Sequence, residues 1–137
     1  MVLLCACHES DNEQILDQLD QVIESKGLYA VRFERRVDSL RRELCTASDD
    51  TMRWRTANRL FDSYITYNID TAARYVALMY DLAEHTGRRD MKFLSTTCDI
   101  SVLIGRNNIE DAYDRIRSLD TAGITKRMRA NYYTQQM

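Results

Sequence analysis

The sequence predicts an all-α protein in which one long helix precedes stacked helical hairpins. The 137 residues contain no proline and only four glycines, which disfavours turn-rich sandwiches and barrels. Apolar residues recur at steps of three and four, which is the period of a helix face. Shifting the chain by forty residues aligns one pair of predicted helices with the next, as expected of a helical repeat.

Composition limits the partners as well as the fold. Hydrophobic residues make up 45% and charged residues 29% of the chain, which are the proportions of a globular domain. The formal net charge of -2 gives no electrostatic reason to bind nucleic acid, so we expect no direct nucleic-acid contact by this segment. No apolar run reaches the roughly 18 residues of a membrane-spanning helix.

Residues 1–9 have the features of a truncated lipoprotein signal. The stretch that ends in Cys7 has the form of a lipobox, which would make Cys7 a lipidation site and the N-terminus a membrane tether. It lacks the positive charge and the long apolar region of a complete signal. A tail with incidental cysteines therefore stays open as the alternative.

Residues 10–47 are predicted to form a long amphipathic helix with a heptad pattern. Its seam positions alternate steps of four and three: Asn12, Leu16, Leu19, Ile23, Lys26, Ala30, Phe33, Val37, Leu40 and Leu44. Lys26 and Gly27 weaken the seam, because one is charged and the other is a poor helix former. The seam either pairs two copies as a coiled-coil homodimer or covers the first hairpin of its own chain. The second arrangement is favoured, since Phe33 is bulky for a parallel dimer.

Residues 48–137 are predicted to form the hairpins. Turns are expected near 46–50, 67–69, 86–89, 105–108 and 120–124. Gly87 supplies a left-handed end to one helix. Cys45 and Cys98 are predicted to be buried thiols, and Tyr75 and Tyr80 are interpreted as core residues rather than as the lining of a groove.

A forty-residue shift pairs similar residues of the two hairpins: Leu60 with Ile100, Tyr64 with Ile104, Ile69 with Ile109, Ala72 with Ala112, and Val76 with Ile116. Ala72 and Ala112 are predicted to be hairpin-packing residues, because a small side chain lets two helices approach closely. Around them the sequence resembles the tetratricopeptide repeat (TPR), whose usual period is about 34 residues. Asn107 stands where that repeat has a glycine.

Longer stretches are similar to the membrane-tethered TPR regulators of Bacteroidales-type bacteria: residues 14–24, 35–41, 60–61 and 64–72. The resemblance implies the N-terminal, sensory or protein-contacting segment of a transcriptional regulator, without its membrane-spanning and DNA-binding parts. It also implies a periplasm-facing location in the cell envelope. Without the resemblance, a cytoplasmic location is expected.

Residues 124–137 are predicted to form a last helix without a partner, so the array is expected to be incomplete at its C-terminus. Met128, Tyr132 and Tyr133 would then form an exposed interaction surface for a protein or peptide. The alternative function is structural, a coiled-coil dimerisation segment followed by a helical spacer.

Motifs of enzymes are missing from the sequence. There is no phosphate-binding loop, dinucleotide fingerprint or metalloprotease motif. His8 and His85 are the only histidines, and the place of His85 at a helix end is explained by the helix dipole. The cysteines lack the paired spacing of a zinc site. We therefore expect no catalysis, no cofactor and no metal.

Overall fold

The computed structural model describes the backbone of residues 9–119 and the side chains of residues 12–119. This part of the chain is all-α, as predicted, and its elements are α1 (Glu9–Thr46), α2 (Asp50–Tyr64), α3 (Ile69–Thr86), α4 (Arg89–Gly105) and α5 (Ile109–Ser118). The gaps between the helices agree with the first four predicted turns. The fifth turn, Cys7 and the predicted surface of Met128, Tyr132 and Tyr133 lie outside the described residues.

Polar side chains cap the N-termini of α2 and α3. Asp49 accepts a hydrogen bond from the Met52 amide at 2.8 Å, and Asn68 accepts one from the Thr71 amide at 2.9 Å. Each bond satisfies an amide that a first helical turn leaves without a partner. These caps fix where α2 and α3 begin.

Two left-handed residues separate the later helices. Gly87 has a φ of 64° and Asn107 has a φ of 58°, a region that glycine and asparagine tolerate better than other residues. Asn108 then caps α5 through a 3.5 Å bond from the Asp111 amide.

Contacts divide the chain into one unit up to Arg36 and a second from Val37 onward, so the boundary falls inside α1. In the second unit, Val37 and Leu40 are buried. The end of α1 is joined to α2 by polar contacts, and Arg41 donates to the Tyr64 hydroxyl at 2.8 Å. The prediction that the seam covers the first hairpin is therefore correct only for this end of α1.

Within the second unit, each helix from α2 to α4 packs against the next helix of the chain. The core contains equivalent residues of both hairpins, since Leu60 and Ile100 are both fully buried. Trp54 of α2 is also buried and donates its indole N–H to the Ser95 hydroxyl of α4 at 3.1 Å. The first helices of the two hairpins are therefore in direct contact.

Ala72 and Ala112 are buried, with exposed fractions of 0% and 3%. Each lies in the first two turns of the second helix of its hairpin. Nearby, Gly105 allows a close approach, because a Cβ there would lie 2.7 Å from Ile69 Cδ1. The role of the two alanines in hairpin packing stays a prediction that their burial favours.

Candidate protein-interaction site

An apolar surface is exposed where the second hairpin ends. It is formed by Ile104 at the end of α4 and by Ile109 and Tyr113 of α5, with exposed fractions of 44%, 45% and 60%. We call these three residues the α5 face. The equivalent residues of the first hairpin are less exposed, because α3 packs against both α2 and α4. Within the described residues, α5 packs only against α4.

The turn between α4 and α5 positions the α5 face. Arg106 of this turn donates to Asp70 at the start of α3 at 2.6 Å. Within α5, Glu110 and Asp111 lie in the first turn and Arg115 and Arg117 in the last turn. This charge order complements the helix dipole and stabilises a helix of only ten residues.

The α5 face was not predicted from the sequence. The interaction surface predicted in residues 124–137 lies outside the described residues. A usable signal was present, because the forty-residue shift aligns Tyr113 with Ala73. A large aromatic residue that replaces a small one at a repeated position indicates a change in what covers that helix.

A surface cleft of about 490 Å³ lies along α4 and α5. Its described lining consists of Leu103, Asp111, Asp114, Arg115 and Ser118. Arg115 is engaged by the carboxylate of Asp99 at 3.2 Å. The described lining residues include neither a histidine nor a cysteine.

Cys98 lies between α2 and α4, where its thiol donates to Asn58 Oδ1 at 3.6 Å. Burial and, to a smaller extent, the nearby carboxylates of Asp62 and Asp99 together raise the pKa of Cys98 to about 12. The thiol is therefore protonated near neutral pH and is a poor nucleophile. Cys45, in contrast, is exposed, and the prediction that it is buried is wrong. It follows the seam residue Leu44 and so lies beside the buried face of α1.

The tyrosines and the histidine of α3 have structural partners. Tyr75 stacks on Tyr64 with a centroid distance of 5.8 Å, and the Tyr80 hydroxyl donates to Thr96 at 3.1 Å. Burial raises the pKa of Tyr80. His85 lies exposed in the last turn of α3, with Nδ1 3.0 Å from the Asp81 carbonyl oxygen. These contacts support the interpretation of Tyr75 and Tyr80 as packing residues.

A second apolar surface lies on the first unit. We call it the α1 stripe, and it consists of Ile15, Leu16, Leu19, Val22, Ile23 and Tyr29, which are 52–67% exposed. Charged and amide side chains occupy most of the remaining helix surface. The stripe contains the seam residues Leu16, Leu19 and Ile23, and it extends sideways to Ile15, Val22 and Tyr29.

Comparison with known families identifies the fold. Residues 23–137 match the family described as the SusR N-terminal TPR domain. The chain belongs to this family. The match covers α1 from Ile23 onward and all of α2 to α5. It confirms the resemblance to a regulator's N-terminal TPR segment. Comparisons with curated proteins and with solved structures gave no significant match.

Membership in the SusR N-terminal TPR family defines the general character of the site. TPR helices stack into extended surfaces that bind other proteins, and such domains are generally not catalytic. None of the helices in the described part of this SusR-type domain is both long and apolar enough to cross a membrane. The described side chains also form no cluster suited to hold a metal ion.

Proposed function

We propose that this SusR-type TPR domain is the sensory segment of a transcriptional regulator and that it binds a protein or peptide partner without performing chemistry. The observation that carries the proposal is the exposed α5 face in the second hairpin of a family-matched helical repeat. Exposed apolar surface beside packed repeats is typical of an interaction site.

The charges around the α5 face favour a particular partner chemistry. Glu110, Asp111 and Asp114 are exposed on the same helix as Tyr113. Both cations of α5 are paired with carboxylates, Arg115 with Asp99 at 3.2 Å and Arg117 with Asp114 at 4.0 Å. A complementary partner would therefore place an apolar side chain against Ile109 and Tyr113 and basic side chains around it.

For location, we propose that the domain faces the periplasm in the cell envelope, with a membrane tether at Cys7. The support is the resemblance to the membrane-tethered regulators and the lipobox form of the residues before Cys7. Metabolic labelling with a fatty acid tests the tether. Label on the wild type that is absent from Cys7→Ser supports it, and an unlabelled wild type contradicts it.

The proposed function is tested by Tyr113→Asp in the complete regulator. A carboxylate on the α5 face should weaken apolar contact with the partner, so the transcriptional response to the natural signal should fall by about tenfold, as expected for the loss of roughly 1.4 kcal/mol of binding. Tyr67→Asp is the matched control, because Tyr67 is 68% exposed in the turn between α2 and α3. An unchanged response with Tyr113→Asp, or an equal loss with both variants, would contradict the proposal.

A further inference from the structure

The α1 stripe exposes several large apolar side chains to water. Its residues include Leu19 and Ile23, which are 52% and 55% exposed. It combines the heptad seam with a third column, Ile15, Val22 and Tyr29, spaced at intervals of seven residues. Three apolar columns make a face broad enough for close helix packing rather than a narrow contact.

Charge is distributed unequally along the same segment. Residues 12–25 carry four carboxylates, of Glu13, Asp17, Asp20 and Glu24, and neither lysine nor arginine. Residues 26–36 carry Lys26, Arg32, Arg35 and Arg36 and one carboxylate, that of Glu34. The first half of the segment is therefore acidic and the second half is basic.

We infer that the α1 stripe is covered by the α1 stripe of a second copy of this chain, with the two helices antiparallel. In a parallel pair, the two acidic halves would lie side by side and repel each other. In an antiparallel pair, each acidic half lies beside the basic half of the other copy. The two helix dipoles also oppose each other favourably.

The available length of α1 sets the register of this pair. Val37 and Leu40 are buried in the second unit, so the overlap is confined to residues 12–36. Matching the seam positions of the two copies within that overlap places Leu19 of one copy opposite Ala30 of the other. Lys26 then lies near the middle, where its long side chain can extend from the apolar contact to water.

An anionic lipid surface fits the segment less well. Helices that lie on such membranes carry lysine and arginine on their polar face. The polar face of residues 12–25 carries only negative charge. A second copy is also independent of the partner proposed for the α5 face, because that face belongs to the other unit.

The first test is sedimentation velocity of the 137-residue chain and two variants. The wild type should form dimers, and the double variant Leu19→Asp, Ile23→Asp should raise the dimer Kd by at least about tenfold, the effect of roughly 1.4 kcal/mol. Leu28→Asp is the matched control, because Leu28 is 63% exposed but lies outside the stripe. The fluorescence of Trp54, the single tryptophan, reports whether the second unit remains folded.

Salt separates the two orientations. Raising the ionic strength from about 0.1 M to about 1 M shortens the Debye length from about 10 Å to about 3 Å. The antiparallel dimer should weaken, since its halves attract each other. A parallel dimer should strengthen, because salt screens the repulsion between its acidic halves.

Disulfide cross-linking gives an independent measure of orientation. The background carries serine in place of Cys5, Cys7 and Cys45. A mixture of the Leu19→Cys and Ala30→Cys chains should form the mixed disulfide, whereas Leu19→Cys alone should not couple to itself.

Three results would overturn the inference. The first is a wild-type chain that stays monomeric up to about 1 mM, the range of very weak binding. The second is a dimer that Leu28→Asp weakens as much as the double variant does. The third is efficient coupling of Leu19→Cys with itself, which would indicate a parallel pair.

Discussion

At the scale of single residues, the two described cysteines differ in reactivity because they lie in different environments. Cys45 is exposed at the end of α1. The Cys98 thiol bonds to Asn58, and burial raises the Cys98 pKa to about 12. Because only the thiolate attacks alkylating reagents, the protonated Cys98 thiol should react slowly in the folded chain.

We therefore predict that, at pH 8, iodoacetamide modifies Cys45 well before Cys98. Peptide mass spectrometry at successive times measures both reactions in one sample, and a denatured sample should show both cysteines modified. Equal rates in the folded chain would contradict the buried environment of Cys98.

The raised pKa of Cys98 also makes the stability of the fold depend on pH. The raised pKa stabilises the fold fully below about pH 9, the ordinary value, and this contribution is lost as the pH rises toward 12.

The same pair of residues shows how far sequence reasoning reaches at this scale. Both cysteines follow apolar helical patterns, and both were predicted to be buried. Cys98 lies on the face of α4 that contacts α2. Cys45 lies one position beyond the seam residue Leu44. One position on a helix is a rotation of about 100°, which is enough to move a side chain from a packed face to solvent.

At the scale of the helices, we predict that the contact between α4 and α5 requires a small residue at position 112. Ala112 is 3% exposed in the first turns of α5. A larger side chain there must displace its neighbours, because protein interiors are closely packed. We predict that Ala112→Leu destabilises the fold by about 1–3 kcal/mol, the usual cost of overpacking.

Thermal and urea unfolding followed by Trp54 fluorescence measure this loss. Ala77→Leu is the matched control, because Ala77 is exposed on α3 and its replacement adds the same side chain without a packing conflict. Ala77→Leu should change the free energy of unfolding by less than about 0.5 kcal/mol. An unchanged stability for Ala112→Leu would remove the basis for the predicted hairpin-packing role.

Helix positions were largely predictable from the sequence because their signals are local. The polar caps Asp49 and Asn68 and the left-handed Gly87 each mark a boundary within a few residues. What covers a helix was not predictable in the same way. The heptad seam shows that one face of α1 is apolar, but periodicity is the same whether the face contacts its own chain or another. Only its end, at Val37 and Leu40, is buried.

At the scale of the whole molecule, the described part of each unit includes an exposed apolar surface. The α1 stripe lies in the first unit and the α5 face lies in the second. The family match covers the second unit completely. We therefore propose self-association for the first surface and partner binding for the second. Neither role requires a catalytic residue.

The partner-binding claim is tested most directly by photo-cross-linking in the bacterium that produces the regulator. Tyr113 is replaced by the photoreactive residue p-benzoylphenylalanine, and Tyr67, which is also exposed, receives the same residue as a control. After illumination, the account predicts a cross-link from position 113 to one protein, weaker or missing from position 67. No cross-link from position 113, or equal cross-links from both positions, would contradict the account.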